Sequence, residues 1–308
     1  MLRLYVDGYN KGDCNPRPKI HIERESSVTA TIDGDGGLGL HVAPKAMEIA
    51  IQKAQLHGMG STVLKNSGHL GAAGYHALMA LPHDMIGVCF TGGGGRQMLP
   101  TFGAETRLGT NPIAWAVPAR NQPPFIFDAA TTQVAANKIR ILQRMDRTIA
   151  PGWLADSDGS PILEEQKVPD GDSDYSNEER KWDLLPFGGT RENGSHKGYG
   201  LGCIVDIMCC TLSGVGPGFI SKDGGHFFSA YKIEAFTDLE KFKDDMDAFL
   251  LGLKTTKPAP GHDRVYYPGL SESETKNDRL QNGIPLHPEV IEWFKSFSAE
   301  FQINIDLS

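Results

Sequence analysis

The stretch Lys65-Asn66-Ser67-Gly68-His69-Leu70-Gly71-Ala72-Ala73-Gly74-Tyr75 decides how the rest of the chain is read. A short β-branched and apolar run, Thr62-Val63-Leu64, precedes it, and a helix-compatible stretch over residues 72–80 follows. The pattern is strand, turn, helix, with a histidine at the strand exit. Gly68 and Gly71 flank that histidine and let backbone or a ligand come close. Open α/β sheets bind small molecules at the carboxyl ends of their strands, so His69 stands where a site is expected. On its own, such a histidine serves more often as a structural donor than as a catalyst. Its neighbours along the chain shift the balance toward chemistry.

Working outward, residues 28–32 read as a strand leading into the glycine-rich Asp33-Gly34-Asp35-Gly36-Gly37-Leu38-Gly39. That run matches neither a Walker motif nor the dinucleotide Gly-x-Gly-x-x-Gly spacing, and a tight connection against a cleft is the favoured reading over phosphate contact. Pro44 sits near the start of a helix with Met47, Ala50, Ile51 and Ala54 on its apolar face, and Gly58 suits its stop. Residues 85–90 form another strand, ending in Thr91-Gly92-Gly93-Gly94-Gly95-Arg96. Residues 113–117 and 125–127 read as a hairpin, and 134–147 as a basic helix. Residues 149–189 are irregular and include the acidic run Asp170-Gly171-Asp172-Ser173-Asp174, a solvated excursion that lacks the glycine and terminal glutamate of a calcium loop. Residues 198–214 read as a buried helix of small and apolar residues that would also suit dimer packing; 235–253 and 289–301 read as amphipathic helices.

Composition sets outer bounds. At 308 residues, 40% hydrophobic and 22% charged, the chain is an ordinary globular protein able to bury a large core. A formal net charge of -8 argues against nucleic acid, though not against a small anion met by one local cation. The five cysteines form no Cys-x-x-Cys pair or zinc-like cluster, so reduced thiols and no metal are expected. No apolar run approaches a membrane span and no signal-type segment opens the chain, which makes cytoplasm the expected compartment.

Four more stretches place small and polar residues at element ends: Gly109-Thr110-Asn111-Pro112, Phe125-Ile126-Phe127-Asp128-Ala129-Ala130-Thr131-Thr132, His196-Lys197-Gly198-Tyr199-Gly200-Leu201 and Gly224-Gly225-His226-Phe227-Phe228. Together with Asn66-Ser67-Gly68-His69-Leu70-Gly71, and in that order, they closely resemble the malate/L-lactate dehydrogenase family of non-Rossmann oxidoreductases. That family also holds ureidoglycolate, sulfolactate and diketogulonate dehydrogenases or reductases. The resemblance runs from about Tyr5 to Trp293. It implies an α/β fold with a mixed-sheet, non-Rossmann catalytic domain, here residues 27–231. The two chain ends, 1–26 and 232–308, would form a discontinuous and mainly helical unit.

The resemblance further implies NAD or NADP as cofactor, a small carboxylate substrate such as malate or lactate, and a homodimer. His69 matches the proton-transferring histidine of ureidoglycolate dehydrogenase-like members, and Tyr5 matches a catalytic tyrosine. Thr91, Gly93, Asp128, Ala129, Ala130, Lys197, Gly225, His226 and Phe227 match cofactor-lining positions. The Ser-His-Gly motif and arginine that precede the tyrosine in the family have no counterpart, with Met1 standing at the arginine's place. An alternative expectation is therefore an amino-terminally truncated, catalytically impaired member that acts as a binding or regulatory subunit.

The residues themselves suit this chemistry. Oxidising a 2-hydroxy acid removes a hydroxyl proton, a task matched to an imidazole of unperturbed pKa roughly 6.5. Asp128 ends an apolar strand where an uncompensated carboxylate is costly; structural acceptor and cofactor contact both remain open. Lys197 enters the start of a helix, where the dipole disfavours a cation unless an anion such as a cofactor phosphate pairs with it. The alternation around His226 also suits an ordinary strand. For the substrate carboxylate, Arg3, Arg96, Arg107 and Arg191 are available.

Overall fold

The computed structural model describes residues 2–93, 95–169, 181–221 and 223–304; the acidic run at 170–174 lies outside the described residues. Six strands come first: β1 (His21–Glu25), β2 (Thr29–Gly37), β3 (Met59–Ser67), β4 (Met85–Gly93), β5 (Ile113–Val117) and β6 (Phe125–Ala129). Four short strands follow, β7 (Thr148–Ile149) paired with β9 (Gln166–Lys167) and β8 (Leu154–Asp156) paired with β10 (Trp182–Leu184), and β11 (Gly224–Lys232) comes last. The main sheet has seven strands in the order β1-β2-β3-β11-β4-β5-β6. β2 and β3 are parallel, joined by the helix α2 (Gly39–His57), and the other neighbours in this sheet are antiparallel.

The insertion of β11 positions everything that matters for function. It pairs with β4 from Gly224 opposite Gly93 to Lys232 opposite Met85, and with β3 from Gly225 opposite Lys65 to Tyr231 opposite Met59. The carboxyl ends of β3 and β4 therefore meet the amino end of β11 at one edge of the sheet, beside the His69 turn. The period-2 alternation of a strand sends Phe228 and Ala230 to one face and Phe227 and Tyr231 to the other. On the first face α2 buries Val42, Ala43, Ala46, Met47 and Ala50 completely against Ile32, Leu64 and Phe228. Each large side chain buried there contributes on the order of 1.5–3 kcal/mol. On the second face Val205, Cys209 and Cys210 of the helical segment described below cover Val63, Val88 and Phe227.

The remaining helices are α1 (Leu2–Lys11), α3 (Ala73–Leu78), α4 (Ala136–Arg144), α5 (Ser195–Asp206), α6 (Gly218–Ser221), α7 (Leu239–Lys254), α8 (Leu270–Asn282) and α9 (Pro288–Phe301). The two chain ends meet: Arg3 of α1 forms a two-pronged pair with Glu300 of α9 at 2.6 and 2.8 Å. None of the described helices is long and apolar enough to cross a membrane.

Several local expectations change. α2 begins five residues before Pro44, because the glycine run continues straight into it; its end at Gly58 is as expected, with φ 86° and an amide bonded to Ala54 O. Two elements carry little apolar signal: the edge strand β1, exposed along its whole length, and α8, which buries only Leu270. The helix expected over 198–214 starts earlier and, after Asp206, widens into a π-turn at Ile207–Thr211. It is also not buried throughout: Leu201, Ile204, Ile207 and Leu212 are exposed.

Candidate functional site

The strand ends just described enclose a cleft of about 480 Å³. Ser67, Gly68, His69 and Gly71 form one wall, Thr91 to Gly93 another, and Gly109 to Pro112 and the start of β11 complete it. Each wall is one of the stretches quoted from the sequence.

His69 is solvent-accessible on the cleft wall. Its Nδ1 lies 2.7 Å from the Tyr5 hydroxyl and accepts the Gly71 N–H at 3.2 Å. A backbone N–H can only donate, so Nδ1 offers a lone pair to it, and the Tyr5 hydroxyl donates alongside. The two rings also stack, 6.0 Å apart at 30°. Gly71 can make this contact because it sits at φ 84°, a conformation glycine adopts without strain. Desolvation lowers the His69 pKa from its ordinary value and raises that of Tyr5. Both are neutral near pH 7. Among the described residues nothing bonds Nε2, which in this tautomer carries the ring's proton and is left to the cleft.

Behind His69 lies His226, nearly fully buried. Its Nε2 is 3.1 Å from Gly68 O and its Nδ1 is 2.7 Å from Thr91 Oγ1. Since the carbonyl only accepts, Nε2 carries the proton and Nδ1 receives the Thr91 hydroxyl. Burial pushes this imidazole down to about 4, against the opposing pull of the Gly68 carbonyl.

On the cleft wall, Ser67 Oγ and the buried Asn111 Oδ1 have no partner among the described residues. The other end of the Asn111 amide is fixed by donation to Gly202 O at 2.9 Å. An unpaired buried acceptor is expensive, and a ligand with N–H groups, such as a carboxamide, would satisfy it. Both residues lie in quoted motifs, yet composition and spacing alone do not mark them as cleft atoms.

The other sequence candidates fall in different places. Thr91 and Gly93 line the cleft with His226. Gly225 faces away from it: an added Cβ would lie 2.1 Å from Cys209 O, so this glycine admits the π-turn rather than a ligand. Phe227 belongs to the core beneath α5, 5.6 Å from the Phe90 ring, and the cleft does not reach it. Asp128 accepts the Gly74 N–H at 2.7 Å at the start of α3, and desolvation raises its pKa. This bond corresponds to the structural-acceptor reading, one of the two left open for a carboxylate at this strand end. Ala129 and Ala130 are half-buried at the end of β6, tied to the cleft wall through the Thr131 N–H to Thr110 O bond of 2.8 Å. Lys197 is exposed in the first turn of α5, on the helix whose Gly202 holds Asn111. Of the arginines, Arg3 is bound to Glu300 and Arg107 to Glu105, Arg96 donates to Phe219 O, and Arg191 lines a separate cleft with Thr190 and Ser195.

One grouping has no counterpart in the sequence reading. Antiparallel pairing sets His21 opposite Asp33 and, with Glu23, brings three potential metal-ligand atoms within 4.8 Å of one another. Glu23 is already paired with Lys65 at 2.8 Å, and Asp33 Oδ1 accepts from Asn66 and from the Asp35 amide.

Comparison with known proteins agrees with this architecture. A family model described as malate/L-lactate dehydrogenase matches residues 1–295. A malate dehydrogenase of Pyrococcus abyssi is 39% identical over 303 residues, covering 94% of this chain and 79% of that protein. An L-sulfolactate dehydrogenase of Methanocaldococcus jannaschii is 35% identical, covering 98% and 84%. The crystal structure of malate dehydrogenase from Entamoeba histolytica superposes with a TM-score of 0.89 at 34% identity, covering 98% of this chain and 85% of that one. The mixed sheet, the order of the motifs and these matches agree: the chain is an oxidoreductase of 2-hydroxy acid dehydrogenase type and belongs to the malate/L-lactate dehydrogenase family.

Proposed function

We propose that the protein is an NAD(P)-dependent dehydrogenase of a small 2-hydroxy acid, malate or a close analogue, with His69 as the proton-transfer residue. The observation that carries this is the placement of His69: Nδ1 lies 2.7 Å from the Tyr5 hydroxyl, a group able to donate to it or accept from it, and Nε2 is left to the cleft. In the oxidation direction the base is the other neutral tautomer, in which Nδ1–H donates to the Tyr5 hydroxyl oxygen and gives up the Gly71 N–H. Nε2 is then bare and takes the proton of the substrate hydroxyl, and in reduction the imidazolium returns it to the keto oxygen. The Tyr5 hydroxyl can serve both neutral tautomers, donating to the bare Nδ1 of the resting ring and accepting from the Nδ1–H of the reactive one and of the imidazolium. Lowering of the His69 pKa keeps the ring in its base form near neutrality.

A nicotinamide supplies the hydride acceptor and donor when bound. The unpartnered Asn111 Oδ1 and Ser67 Oγ fit such a group, with Thr91 and Gly93 beside them. Ala129 and Ala130 would border its remainder and Lys197 would meet a phosphate. The exposed apolar residues Leu201, Ile204 and Ile207 of α5 and its π-turn support assembly with a second copy of the chain.

The test is His69→Ala, assayed by nicotinamide absorbance against malate, lactate, sulfolactate and ureidoglycolate. Turnover should fall by a factor on the order of 100–10,000 in a folded protein whose cofactor affinity is little changed. Undiminished turnover would remove His69 from the reaction.

A further inference from the structure

We infer that two buried histidines, His226 and His76, are positioning residues for His69, each donating from Nε2 to a backbone carbonyl on either side of it and so fixing the loop that carries the proton-transfer group. This rests on the reading of His69 above.

The contacts are specific. His226 Nε2 reaches Gly68 O at 3.1 Å, and His76 Nε2 reaches Leu70 O at 3.0 Å. Both acceptors are carbonyls, so both imidazoles carry the proton on Nε2. Two further bonds complete the anchoring: the Gly68 amide donates to Gly37 O at 2.9 Å, and the His69 carbonyl receives the Leu40 amide at 3.2 Å. The backbone from Gly68 to Leu70 is thus tied to the end of β2, the start of α2, α3 and β11.

His226 and His76 are 3% and 1% exposed, where a loose polar ring would not be tolerated. Phe228 packs edge-on against His76 at 5.8 Å and lies 6.3 Å from His226, so one apolar ring braces both. Burial lowers both pKa values, keeping each ring a neutral donor in a single tautomer. The hydroxyl of Thr91 fixes the tautomer of His226 from the other side at 2.7 Å.

The reason to spend two buried histidines here is the flexibility of the motif. Gly68 and Gly71 give His69 room to approach a ligand, and the same glycines would let it wander. A displacement of about 1 Å of a reacting group can cost on the order of a hundredfold in rate. With both ring nitrogens of His226 engaged by the protein, this residue shapes the cleft without offering a donor to the cofactor.

The experiment compares wild type, His69→Ala, His226→Ala, His226→Gln and His226→Asn, measuring kcat, KM for malate and for cofactor, the pH profile of kcat, and Tm. His226→Ala should lower kcat by about ten- to a hundredfold and displace the apparent pKa of the kcat profile, with the cofactor KM nearly constant. The longer amide of His226→Gln can still donate to Gly68 O and should restore turnover to within a few-fold of wild type, whereas the shorter His226→Asn should not. Full turnover in His226→Ala beside an inactive His69→Ala overturns the clamp alone. Equal turnover in the Gln and Asn variants does the same, and decides the matter if His226→Ala does not fold. A rise in cofactor KM without loss of kcat would overturn it by making His226 a cofactor contact. Full turnover in His69→Ala overturns the underlying base reading instead.

Discussion

Acid should unfold this protein through His226, and the size of the effect follows from its burial. In the unfolded chain the imidazole takes up a proton near 6.5; in the folded protein, enclosed and bonded through both nitrogens, it does so only at about 4. Between those values the unfolded state binds more protons. Stability is therefore full above 6.5 and is lost as pH falls toward 4. At 1.36 kcal/mol per pH unit, His226 alone removes about 2 kcal/mol by pH 5 and about 3 kcal/mol by pH 4. His69 and His76 act in the same direction, since their pKa values are also lowered by desolvation. Urea unfolding of wild type and His226→Gln at several pH values isolates the His226 share. The variant keeps a donor for Gly68 O but has nothing to titrate, so its acid loss should be smaller by about 2 kcal/mol at pH 5. Parallel stability curves for the two proteins would refute the reasoning.

Other expectations follow from single contacts. Lys197→Ala should weaken nicotinamide cofactor binding by about ten- to a hundredfold if a charge-assisted phosphate contact is lost; fluorescence titration giving equal affinities would exclude the residue. Gly225→Ala should destabilise by about 3 kcal/mol or more, because its Cβ would meet the Cys209 carbonyl at 2.1 Å; an unchanged Tm would contradict that packing. Ile204→Asp, on the exposed apolar face of α5, should convert a dimer into a folded monomer in light scattering, and a wild type already monomeric at micromolar concentration would defeat the assembly.

The sheet was legible where apolar periodicity is strong. β4, β5 and β6 and the helix ending at Gly58 lie close to where the pattern puts them. β1 and α8 escaped because an exposed edge strand and a surface helix have no apolar face to advertise them. The candidate site divides in the same physical way. His69, Thr91, Gly93 and His226 share a cleft because strand ends converge, an arrangement that motif order foretells only through a family resemblance. Phe227 and Gly225 lie next to His226 in the chain but face the other side of the sheet: alternation turns Phe227 into the core, and the π-turn packs against the glycine. The carbonyl partners of His76 and His226 lie 6 and 158 residues away, and no local pattern encodes such bonds.

The central claim is a hydroxyl proton and a C2 hydride leaving one substrate beside His69. Malate deuterated at C2 tests it most directly, with the fate of the label followed by mass spectrometry of the cofactor. The account predicts that the wild-type chain moves deuterium into the nicotinamide and that His69→Ala, still binding cofactor, does so more slowly by a factor on the order of 100–10,000. A folded, cofactor-bound wild type that transfers no label, from malate or from any of the related 2-hydroxy acids, would contradict it.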